Sequence, residues 1–186
     1  MKTMKNTFKK SMALLAFVAV FAMIFTGCKK DDSSSSSGGG NNPTPPTPGN
    51  YGTVTVAGQS YNIAAGVHEI YFDEDLGQNI VSLELADRVD GSEDTNGFVA
   101  EIIGIDNLPA NGTYQFILQE QMPAGSCAGC FVSSQGLLYC TSGTITVSGT
   151  SASYNIQASG SAMPMGGGNN MSFSVNFNGP LPLYEE

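Results

Sequence analysis

The chain has 186 residues, with 7 Lys and Arg against 16 Asp and Glu, a net charge of -9, one His and no Trp. Six of the seven basic residues precede residue 31, so the portion from Tyr51 onward sets Arg88 against fourteen acids, a net charge near -13. A body that negative repels phosphate backbones, which excludes nucleic acid as a partner, and it supplies few of the groups that catalysis uses.

Lys2, Lys5, Lys9 and Lys10 lead into an apolar run from Met12 to Phe25, 14 residues long. A membrane-spanning helix needs about 20 apolar residues. Residues 1–27 are therefore predicted to be an export signal. The run ends in Phe25-Thr26-Gly27-Cys28. This resembles the lipobox of bacterial lipoproteins, with Phe25 where Leu is usual. The resemblance implies that Cys28 is lipidated, becomes the mature N-terminus and ties the chain to a membrane. Each buried CH₂ of such a chain contributes about 0.8 kcal/mol, and more than one chain gives stable anchoring.

Lys29-Lys30-Asp31-Asp32 follows directly. The run resembles the export signal of surface-exposed lipoproteins in Bacteroides-like Gram-negative bacteria. It implies an outer-membrane location facing the cell exterior. Residues 28–50 continue with five serines, three glycines and a Pro-Thr run from Pro43 to Pro48. Nothing there can bury apolar surface, so a disordered linker is predicted. Treated as coil, its 22 residues after Cys28 reach roughly 25 Å.

Residues 51–186 are predicted to form one all-β domain. Met171, Phe173, Val175 and Phe177 alternate with Ser172, Ser174, Asn176 and Asn178, and Val54 and Val56 alternate with Thr53 and Thr55. Tyr154, Ile156 and Ala158 repeat the pattern. Period two means half-buried antiparallel sheet. Strands are expected near 52–57, 60–65, 68–73, 79–86, 97–105, 112–119, 130–133, 137–141, 143–148, 153–159 and 171–178, with a merge or two. The expected fold is an antiparallel β-sandwich of about nine to ten short strands. A closed up-and-down β-barrel is the alternative. Gly52–Gly58 and Gly143–Gly149 read alike, each leading to Ser-Tyr-Asn-Ile, which suggests two similar hairpins.

Cys127, Cys130 and Cys140 remain once Cys28 is lipidated. A three-residue loop Ser134-Gln135-Gly136 would set Cys130 opposite Cys140, close enough for a disulfide. A slipped pairing would join Cys127 to Cys140 instead. The spacing Cys127-Ala-Gly-Cys130 also fits redox or zinc chemistry, but it lacks the strand-to-helix setting of the first and the four ligands of the second. Two acidic loops hold Asp73 and Asp75, and Asp87, Asp90 and Asp94. They read as solvated loops, with calcium as the sharper alternative. No other cofactor is expected. His68, the one histidine, is expected on a half-exposed strand without a nucleophile beside it.

The function expected is a non-catalytic binding module for a glycan or protein ligand. The alternative is a small hydrolase of the carboxylate glycosidase type. Glu69, Glu74, Glu84 and Glu101 lie on separate strands, and their separation decides the matter.

Overall fold

The alternating segments pair edge to edge into ten strands in a computed structural model. It describes residues 48–88, 96–105, 110–118, 122–133, 136–150 and 152–183. In chain order the strands are β1 (Gly52–Val56), β2 (Gln59–Ile63), β3 (Ala65–Asp73), β4 (Gln78–Ala86), β5 (Gly97–Ile103), β6 (Gly112–Phe116), β7 (Ser126–Ser133), β8 (Gly136–Thr150), β9 (Ser153–Pro164) and β10 (Met171–Gly179). No helix occurs among the described residues, so the domain is all-β as the alternation predicts. The strands expected at 137–141 and 143–148 merge into β8 through an irregularity between Cys140 and Ser142.

All ten strands belong to one sheet, in the order β2-β1-β10-β9-β8-β6-β7-β5-β4-β3. The sheet curls on itself into a half-barrel, between the expected sandwich and the closed barrel. The aromatic core shows why it must curl. Phe98 on β5 and Phe173 on β10 have four strands between them. On a flat sheet that is about 24 Å, yet their rings lie 6.5 Å apart. Phe131 joins them at 4.9 Å from Phe98 and 5.0 Å from Phe173, and Phe116 at 5.6 Å from Phe173. Burying each such ring contributes about 1.5–3 kcal/mol.

The sheet forks at β8. Its first half pairs with β7 and its second half with β6. There β6 and β7 run parallel through Gln115↔Ser126 and Phe116↔Cys127, so the sheet is mixed, whereas the other strand pairs are antiparallel. Gly129, with no side chain on the core side, leaves room for Phe116; a Cβ there would stand 2.7 Å from its ring.

The two edge strands, β2 and β3, are consecutive in the chain and joined by Ala64 alone. One residue spans at most about 7 Å, so the edges meet at that corner. The segment after β10 then lies along the β3 edge. Leu181 is fully buried, the His68 N–H donates to the Pro182 carbonyl at 3.0 Å, and Leu183 bridges His68 in parallel. The two similar-looking hairpins differ in detail: β1 turns at Ala57-Gly58, whereas Gly149 stays in the ladder opposite Tyr154.

Candidate functional site

The outward face of the sheet is chemically divided. Strands β1, β2, β6, β8, β9 and β10 contain no Asp, Glu, Lys, Arg or His. Their inward positions are mostly apolar, and where β6, β8, β9, β10, β1 and β2 pair side by side their outward positions carry hydroxyls and amides. Register aligns these across six strands. One row runs Thr113, Thr146, Gln157, Asn176, Thr53 and Asn62. The next runs Gln115, Thr144, Ser159, Ser174, Thr55 and Ser60. Every member is exposed or half-exposed. Neighbours in a row stand about 4.8 Å apart, and the rows about 6.8 Å apart. Two neighbouring pairs bond to each other, Thr113 Oγ1 to Thr146 Oγ1 at 3.0 Å and Thr55 Oγ1 to Ser60 Oγ at 2.8 Å. Alternation marks each of these positions as outward, but only register lines them up.

The face of β3, β4, β5 and β7 turned away from the aromatic core has a different character, being largely buried as well. Glu69, Ser82, Glu101 and Ala128 form one row, and Val67, Glu84, Val99 and Cys130 the next. Three carboxylates from three adjacent strands thus share a face. Glu84 is diagonal to both Glu69 and Glu101, a separation of about 7–8 Å between backbones. Glu74 lies outside this group, in the turn after β3. The Tyr71 hydroxyl donates to Glu101 Oε1 at 3.0 Å. Glu84 and Ser82 are 2% and 0% exposed, and Glu84 Oε2 and Ser82 Oγ have no hydrogen-bond partner. Burial, reinforced by the charges of Glu69 and Glu101, pushes the Glu84 carboxyl up to about 7. Burial also raises Glu101, against the Tyr71 hydrogen bond that lowers it. Burial and the nearby carboxylates raise the Tyr71 phenol.

The expected disulfide does not form. Cys127, Cys130 and Cys140 are free thiols, and Cys130 lies opposite Tyr139 rather than Cys140. Ser133 pairs with Gly136, so the intervening loop has two residues instead of three. A one-residue shift moves a side chain to the other face. Cys140 therefore points into the core over Gly129, whose Cβ position is 2.9 Å from its sulfur, while Cys130 points outward. Cys127 and Cys130, three apart on β7, likewise face opposite ways, so they cannot act as one redox or metal pair. The alternative partners Cys127 and Cys140 share the core side but are not bridged. Burial pushes the Cys130 thiol up to about 12 and raises the other two, which keeps all three protonated and unreactive near neutrality.

His68 is also not where it was expected. It is buried on the core side, 2% exposed, with Nδ1 at 2.6 Å from the Leu181 carbonyl. Burial lowers its pKa, against that hydrogen bond. The calcium candidates are engaged locally. Asp73 Oδ1 accepts the Leu76 N–H at 2.8 Å, and the Asp87 carboxylate accepts the Asn96 N–H at 2.9 Å and Nδ2 at 2.7 Å. Asp75 lies in the exposed β3–β4 turn. Asp90 and Asp94 lie outside the described residues, as do Cys28 and the Lys29–Asp32 run. Among the described residues no three His, Cys, Asp or Glu side chains are grouped to hold a metal ion.

A small cleft opens at one end of the curl, between Val54, Tyr61 and Ile63 on one side and Leu85, Asp87 and Phe131 on the other. Its space is about 10 Å³, room for about one water. The carboxylate trio is not part of its lining. No family model, curated protein or solved structure matches this chain.

Proposed function

We propose that the chain is an outer-membrane lipoprotein, anchored through Cys28 and displayed outside the cell, whose ten-stranded body is a non-catalytic binding module. The observation that carries the binding reading is the double row of twelve hydroxyl and amide side chains on six strands without a charged residue. Such a surface can donate and accept many hydrogen bonds at once. It holds no group suited to attack a bond or move a proton at neutral pH. Its neutrality, on a body of net charge near -13, suits an uncharged partner such as a glycan or a neutral protein surface.

The test uses the detergent-solubilised full chain on immobilised glycans and envelope proteins. Thr146→Lys with Asn176→Lys puts two charges into the middle of one row, and binding should fall at least tenfold while the β-type circular-dichroism spectrum persists. Unchanged binding by the double variant would overturn the assignment to this surface. The carboxylate glycosidase remains the second reading, because Glu69, Glu84 and Glu101 do share a face. A wild-type chain that releases reducing sugar from a polysaccharide, and stops doing so on Glu84→Gln, would replace the binding-module reading with it.

A further inference from the structure

We infer that the exposed half of the β3 edge, from Ile70 to Asp73, takes an added strand from another protein. The added segment is extended, with apolar side chains at alternate positions and a lysine or arginine beside the Asp73-Glu74-Asp75 turn. This edge is separate from the neutral rows, so either assignment can fail without the other.

The fold itself shows that the β3 edge accepts an extended segment. The His68 N–H donates to the Pro182 carbonyl, and Leu183 bridges His68 in parallel. Backbone groups of successive strand residues point to opposite sides of the strand. Those of Ile70 and Phe72 therefore point the same way as those of His68, away from β4. Among the described residues, none beyond β4 pairs with Ile70 or Phe72.

The side chains at this edge are equally open. Ile70 is 39% exposed and Phe72 59%, and Leu183 beside His68 is 45% exposed. These are three of the five large exposed apolar side chains among the described residues, so the exposure is concentrated here and not scattered. An open apolar edge strand is a template for another chain. In strand addition the backbone ladder supplies affinity, and side chains at alternate positions supply specificity.

Charge selects the occupant. The chain continues past Leu183 as Tyr184-Glu185-Glu186, which brings carboxylates to a strand end that already has Asp73, Glu74 and Asp75. A second copy brings another body of net charge near -13, with Arg88 as its one basic residue. Both are like-charged and are disfavoured for that reason. Glu74 and Asp75 are exposed in the turn that follows Phe72. A basic residue at the end of an added strand lies close enough to pair with them, whereas an acidic one is repelled.

The test titrates the full chain in detergent with a capped, fluorescently labelled peptide, Lys-Val-Thr-Val-Thr-Val-Lys, and reads polarisation. Lysine at both ends serves either strand direction. Saturable binding is expected at peptide concentrations up to about 1 mM. The same peptide with Glu at both ends should bind at least tenfold more weakly, and so should Lys-Val-Thr-Pro-Thr-Val-Lys, which lacks a ladder donor. Phe72→Ser should weaken binding about tenfold, and Glu74→Lys with Asp75→Lys severalfold, each with the β-type circular-dichroism spectrum intact. No saturable binding of the first peptide, or unchanged binding in Phe72→Ser, overturns the proposal. Equal binding of the proline peptide overturns strand addition, and equal binding of the Glu-ended peptide or unchanged binding in the double variant overturns the basic partner. A wild-type dimer in sedimentation that Phe72→Ser dissociates would put a second copy in its place. Peptide binding that appears only after residues 184–186 are deleted would assign the edge to the chain's own end.

Discussion

Glu84 and Gln differ by one proton-binding atom and almost nothing in volume, so the Glu84→Gln exchange isolates a charge. The folded carboxyl is pushed up to about 7 by burial and by its acidic neighbours, against about 4.3 in an unfolded chain. Between these values the folded state holds the extra proton, so stability falls as pH rises through that window and levels off above it. At pH 8 the penalty is on the order of 3 kcal/mol. Glu84→Gln should remove it, raising the urea-unfolding free energy at pH 8 by up to that amount and leaving it nearly unchanged at pH 4. A variant with the same pH slope as the parent would mean that Glu84 ionises freely in the folded state.

At the scale of elements, the strip from Pro180 to Leu183 follows β10 and seals the Gly66–His68 part of the β3 edge. Its anchor is Leu181, which is fully buried in the main core. Gly66 makes the approach possible, since a Cβ there would stand 2.5 Å from a Leu181 methyl. His68 holds the strip twice, through its backbone N–H to Pro182 and its ring to Leu181. Leu181→Ala should cost about 2–5 kcal/mol, the usual range for emptying a core site. Chemical denaturation reads the loss directly, and an effect under about 0.5 kcal/mol would show that the strip does not close the edge. Such a seal has a second use, because an uncovered edge strand is a template for pairing with other chains.

For the whole molecule, the segregation of charge is the main result. The acids within strands belong to β3, β4 and β5, while the seven other strands are free of them. A single curled layer thus carries an exposed neutral hydrogen-bonding area and a largely buried acidic one. The proposed anchor adds a prediction at this scale. Cys28→Ala should move the protein from the membrane fraction to the soluble fraction on cell lysis, because no lipid would remain to hold it. Persistent membrane partitioning of that variant would refute the lipid anchor.

Local pattern determined much of this protein. Alternation of apolar and polar residues is a property of neighbouring residues, so strand identity and the inward or outward sense of Phe173, Thr146 or Glu84 follow from the sequence by itself. The Glu69–Glu84–Glu101 face was partly legible too, because β3, β4 and β5 are consecutive and antiparallel. Pairing was not. Whether Cys130 faces Cys140 or Tyr139 depends on one residue of loop length, and one residue reverses the face. The fork at β8, the burial of His68 under the strip, and the alignment of twelve outward side chains into rows depend on which distant strands meet. Contacts among segments far apart in the chain set those choices, because the free energy of closing the core belongs to the whole curled sheet and to none of its strands alone.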